Sequence, residues 1–242
     1  MSTDTNKLSV LGHFGELRKR LIRSVIAIAV TVIISFFFYE QIFEILLVPA
    51  PPDINLQAIK MTEMLSTTMR VSLISGIILA MPYLTYELIM FVSPALTRRE
   101  KKYTLIILPW IVLMFAAGVA FAYFVLVPRI TGFLISWGSN IVSIQPMFSD
   151  YINIVTRLLL VVGLVFEMPV LTTFLARIGV IKPKWLADKR KPAIVVAFIL
   201  AGAITPTIDP INQTIIALPL IVLYEMSIWL AKLAYKKKSS AD

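Results

Sequence analysis

The chain is 242 residues long, 58% hydrophobic and only 15% charged, with a net charge of +9 and a mean hydropathy of +0.85. Soluble domains carry about 25% charged residues, and a chain this size cannot hide so much apolar surface unless lipid covers part of it. With no cysteine and one histidine, His13, the sequence excludes disulfides, thiol catalysis and thiolate metal sites. A zinc centre would have to draw its remaining ligands from carboxylates alone, so no metal or other cofactor is expected.

The N-terminal arm, residues 1–20, carries Leu8, Leu11, Phe14, Leu17 and Leu21 at three- and four-residue spacing, which predicts an amphipathic helix at the membrane surface. Six apolar segments follow, over roughly 21–39, 70–91, 104–126, 155–176, 193–208 and 211–230. The first is too long for a signal-peptide core. Phe36, Phe37, Phe38, Tyr39 and Glu40 follow it in place of a small-residue cleavage site, so it reads as a retained span. The first four segments have normal spanning length. The last two are short, and Asp209 and Pro210 between them predict a tight helical hairpin in a locally thinned bilayer. The outer segment 40–69 holds Pro49, Pro51 and Pro52, a stiff turn, then a helical pattern. The outer segment 127–154 holds a turn at Trp137, Gly138, Ser139 and Asn140 between short amphipathic pieces. The whole is read as one all-α transmembrane domain with a tail at 231–242.

Charge placement sets the orientation. Lys60, Arg70, Arg129 and Arg157 fall on one side, with Arg70 opening span two and Arg157 opening span four. The other nineteen cations lie in the N-terminal arm, the loop at 98–102, the loop at 177–191 and the tail. Positive loops stay cytoplasmic, so both termini are expected inside a plasma (inner) membrane.

Four acidic features stand out. Glu16 lies off the apolar stripe of the arm. It either pairs locally with Arg20 at i,i+4 or faces a cationic ligand. Glu100 follows Thr97 at capping-box spacing, and it too is open to a second reading as a carboxylate aimed at a cation. Glu167 sits mid-span, where a charge must face a cavity or a partner, and Pro169 beside it breaks the backbone ladder in a way that would open a polar pocket. Asp209, with Thr205, Pro206 and Gln213, makes a polar tip on the last hairpin, explicable by turn chemistry alone. Glu87 and Glu225 lie near inner ends of spans and are expected to snorkel to the headgroups. No phosphate-binding glycine loop is present, and a serine nucleophile would have no buried histidine base, so an enzyme is not expected.

These residues converge on a family. The run from His13 through Phe14, Gly15, Glu16, Leu17, Arg18, Lys19 and Arg20 to Leu21 resembles the opening motif of TatC, the receptor subunit of the twin-arginine protein translocase. The resemblance continues at Phe91, Pro94, Ala95, Leu96 and Glu100, and at Gly118 to Tyr123 with Phe124 and Pro128. It recurs at Phe166, Glu167 and Pro169, at Lys189 and Arg190, and at Thr205, Pro206, Asp209 and Gln213, so it covers nearly the whole chain. It implies a six-span, glove-like bundle with a concave face that contains Glu167. It also implies a cytoplasmic site for the arginine pair of signal peptides on folded precursors, formed by Glu16 and Glu100 with Arg18 and His13. Contacts of Thr205, Gln213 and Asp209 with the single-span subunits TatA and TatB, an oligomeric complex in lipid, and driving by the protonmotive force are implied as well. Nucleic acid is not an expected partner. From the residues alone, a proton-coupled small-solute transporter titrating Glu167 is the competing reading. The absence of visible inverted repeats and the short final spans count against it.

Overall fold

The computed structural model describes the backbone of residues 3–51, 55–92, 98–137, 145–205 and 209–235, with side chains of the N-terminal helix from residue 15 and of the helix opening at Arg98 from residue 107. Those residues are all-helical apart from loops and one bridge pair, Gln57 with Met147. In chain order the helices are α1 (Thr3–Phe37), α2 (Tyr39–Leu47), α3 (Glu63–Val92), α4 (Arg98–Phe121), a π-helical turn (Ala122–Leu126), α5 (Val127–Ser136), α6 (Phe148–Arg177), α7 (Pro183–Asp188), α8 (Arg190–Ile204) and α9 (Pro210–Ala234).

The arm and the first span form one continuous helix, α1. Its apolar part is only 6% buried, whereas half of the most apolar stretch of α6 is buried. α6 is therefore the central pillar, packed against α3, α4 and α9. Its Ile152, Val155, Leu158 and Val162 are fully buried and join Val71 of α3, Val127 of α5 and Ile216 of α9 in the main core. Small residues bring neighbours close. At Gly118 of α4 an added Cβ would lie 2.6 Å from Phe166 Cβ, and at Gly76 of α3 it would lie 2.6 Å from the Val32 Cα of α1. Beside Gly76, Thr31 Oγ1 donates to the Gly76 carbonyl at 2.8 Å and ties α1 to α3.

Five helices are long and apolar enough to cross a membrane among the described residues. The sixth expected span falls on α8, whose 15 residues measure about 22 Å. The other member of the hairpin is not short. α9 runs 25 residues, because the helix continues past the apolar stretch through Lys232 to Ala234. Spans two and four also begin earlier than expected, at Glu63 and Phe148, so Arg70 and Arg157 lie well inside α3 and α6 and do not open them.

After α1, α2 is a separate amphipathic helix that buries Phe43 and Leu46. The segment after it crosses to the start of α6. Gln57 N donates to Pro146 O at 3.4 Å, Phe148 N donates to Gln57 O at 3.0 Å, and the Gln57 and Gln145 side chains bond at 2.8 Å. Glu63 fastens this cap. Its Oε2 accepts from the backbone N–H groups of Ile59 at 2.9 Å and Lys60 at 3.3 Å, and its Oε1 accepts from Ser149 N at 3.1 Å.

Candidate functional site: a carboxylate–guanidinium cluster between two helices and a buried glutamate

Where the middle of α1 meets the C-terminal part of α3, the charges of Glu16, Arg20 and Glu87 meet. Arg20 donates from Nη2 and Nε to a single oxygen of Glu16, at 2.7 and 3.2 Å. Its Nη1 donates to Glu87 Oε2 at 2.7 Å. The Tyr83 hydroxyl donates to Glu87 Oε1 at 2.8 Å, and Arg23 approaches the same oxygen at 4.0 Å. The local i,i+4 pairing of Glu16 with Arg20 is thus present. The placement of Glu87 differs from expectation, because its side chain is only 4% exposed and does not snorkel. A carboxylate so buried requires a cation and hydrogen bonds, and α1 supplies the cation from 67 residues away. Glu225 is exposed as expected. It forms a two-pronged bond with Arg190, at 2.6 and 2.9 Å, that ties α8 to α9. That bond holds the Arg190 guanidinium above its ordinary pKa.

Glu16 keeps an open side. Its side chain is 31% exposed and borders a hollow of about 630 Å³ flanked by Gly15, Arg18, Lys19 and Arg23. Arg18 and Lys19 are exposed. His13 and Glu100 fall on α1 and on the first turn of α4, and their side chains lie outside the described residues, as does Thr97 of the expected capping box.

Glu167 is 2% exposed and pairs with the hydroxyl of Thr85 on α3. Its Oε1 has no hydrogen-bond partner among the described residues. The polar pocket expected beside Pro169 is not what forms. The hollow there, about 340 Å³, is apolar and lies between Trp110, Met114, Val170 and Leu230, while Glu167 is turned to α3. The Thr172 and Thr173 hydroxyls are spent on the Met168 and Pro169 carbonyls of their own helix.

At the hairpin between α8 and α9, Asp209 caps α9, accepting from Asn212 N at 2.7 Å and from Asn212 Nδ2 at 3.0 Å. Gln213 Nε2 donates to Phe198 O of α8 at 2.8 Å. Thr205 is buried and donates to Ala201 O at 2.9 Å. These contacts close the hairpin, and Pro206 lies outside the described residues.

Residues 12–219 match the family described as Sec-independent protein translocase protein (TatC). The chain is 38% identical to TatC of Desulforapulum autotrophicum, over all of this chain and 91% of that one. It is also 38% identical to TatC of Carboxydothermus hydrogenoformans, over 97% of each. A solved structure, the crystal structure of the twin-arginine translocase receptor TatC, superposes with a TM-score of 0.84 at 37% identity, covering 92% of this chain and 99% of that one. The chain therefore belongs to the TatC family of Sec-independent protein translocase proteins.

Proposed function

We propose that the chain is the signal-peptide receptor of a twin-arginine translocase and recognises the arginine pair of folded precursors at its inner face through Glu16 and Glu100, with Arg18 and His13 beside them. Family membership places it in protein translocation and favours this reading over a solute transporter. The observation that carries the site is Glu16, which already grips one guanidinium, that of Arg20, and leaves part of its carboxylate open beside a hollow. Carboxylates hold guanidinium by paired, charge-assisted bonds that an ammonium cannot copy. The surroundings are strongly basic, so a cationic peptide is repelled everywhere except at the placed acids, which sharpens selection.

In this proposal the chain crosses a plasma membrane six times with both termini cytoplasmic, α8 crossing where the bilayer is thinned. The hairpin at Thr205, Asp209 and Gln213 receives the TatA and TatB subunits. Glu167 is enclosed against Thr85 within the glove-like bundle, not open on its concave face, and the protonmotive force drives transport in an oligomeric complex. Deletion of the gene tests this reading. Twin-arginine precursors should accumulate in the cytoplasm, whereas normal export with loss of uptake of one solute would refute it.

A further inference from the structure

Arg70 and Arg157 lie far from the inner-face cluster. Helices α3 and α6 run in the same direction and touch along one edge at three levels: Glu63 with Ser149, Arg70 with Asn153, and Thr85 with Glu167. At 1.5 Å per residue, Arg70 is about 10 Å along α3 from Glu63, and Arg157 about 13 Å along α6 from Phe148. Each helix is about 45 Å long. Centred on a hydrocarbon core about 30 Å thick, α3 places Arg70 about 3 Å inside its outer boundary and α6 places Arg157 about half a turn deeper.

The two side chains share a face. Arg70 Nη1 donates to Asn153 Oδ1 at 2.5 Å, and Asn153 and Arg157 are four apart on α6, hence stacked one turn above the other. Both arginines are exposed. Arg157 makes no hydrogen bond or ion pair among the described residues, and Asp150 pairs with neither arginine. A guanidinium offers five N–H donors, so most of this edge's donors are unspent. Exposed apolar side chains flank the pair: Met69 and Leu73 on α3 and Leu164 two turns inward on α6.

A cation at this depth without a protein partner is costly unless a counter-ion meets it. The outer leaflet supplies one group with matching chemistry, the phosphodiester, which the arginine fork binds bidentately. The acyl chains of the same lipid would then follow Leu73 and Leu164 toward the midplane. Two adjacent cations also select the headgroup, since the ammonium of a zwitterionic lipid would be repelled by the second arginine, and a net anionic headgroup would not. We propose that Arg70 and Arg157 form a headgroup site on the outer-leaflet edge between α3 and α6 that holds the phosphodiester of an anionic phospholipid.

The test uses the purified, delipidated full chain in detergent, with lipid adducts read by native mass spectrometry. Dioleoyl phosphatidylglycerol should bind, and dioleoylglycerol, with the same chains and no phosphate, should not. Arg157→Gln should weaken phosphatidylglycerol about fivefold and Arg70→Gln/Arg157→Gln about 30-fold, one interfacial arginine contributing about fivefold. Arg70→Lys/Arg157→Lys should keep part of the affinity. Arg157 has no partner to lose among the described residues, so the single variant reads lipid binding even if the double variant folds poorly. Unchanged phosphatidylglycerol binding in Arg157→Gln, or equal retention of dioleoylglycerol, would overturn the proposal. Displacement of the lipid by an equal concentration of inorganic phosphate would do so too, by making this a free-anion site. The outcome is independent of whether the chain binds twin-arginine peptides.

Discussion

Removing either partner of the Arg20–Glu87 pair should destabilise the fold, but by unequal amounts. Arg20→Gln leaves the Glu87 carboxylate, 4% exposed, with the Tyr83 hydroxyl and only a distant Arg23 at 4.0 Å. Stranding a buried charge costs about 3–5 kcal/mol. Arg23 is 56% exposed and free to swing inward, so a loss of about 2–4 kcal/mol is expected. Glu87→Gln leaves no stranded charge. Its amide oxygen still accepts, and Arg20, at 16% exposure, keeps Glu16 at 2.7 Å. Exchanging charge-assisted for neutral hydrogen bonds should cost about 1 kcal/mol. The double variant should then be more stable than Arg20→Gln alone, with a coupling of about 1–3 kcal/mol. Denaturant unfolding of the four proteins in one detergent, followed by circular dichroism, closes the cycle. Equal and additive losses would refute the reasoning, because the pair would then be a solvated surface contact worth about 0–1 kcal/mol.

Thr85→Val removes the only hydrogen-bond partner of Glu167 among the described residues and should destabilise the α3–α6 contact by about 1–3 kcal/mol, with Thr85→Ser restoring most of it, as read by the same unfolding assay. Gly118→Ala places a Cβ 2.6 Å from Phe166 Cβ and should cost about 1–3 kcal/mol, measured against the neutral control Gly132→Ala, whose added Cβ meets nothing within 4 Å. Glu63→Gln turns an amide NH₂ toward backbone N–H donors. Hydrogen exchange should therefore quicken at residues 57–63 and 146–149 and stay unchanged at the C-terminal ends of α3 and α6.

Much of this architecture is local and so was legible in the chain. The apolar runs mark the helices, and the i,i+4 spacing foretells the Glu16–Arg20 pair. The motif string pointed to the family that the comparisons show. What stayed hidden depends on contacts distant in sequence. Glu87 looked like a snorkelling residue because its cation comes from α1 and its burial from the α1–α3 interface. Glu63 carried no signal, since one of its three donors lies 86 residues away at the start of α6. Thr85 is one threonine among several in α3, and only the parallel register of α3 with α6 sets it opposite Glu167. Helix ends were misplaced because hydropathy marks the apolar stretch while backbone hydrogen bonds carry the helix beyond it, as at Glu63, Phe148 and Lys232.

The proposed function turns on recognition of paired guanidiniums by Glu16 and Glu100. Its most direct measurement is the affinity of the purified protein in nanodiscs for a twin-arginine signal peptide and for the same peptide with both arginines replaced by lysine. Arginine should be preferred by about tenfold or more, since only the planar fork makes paired bonds to a carboxylate. Equal affinity for the two peptides, or no binding to either by folded protein with its partner subunits present, would contradict it.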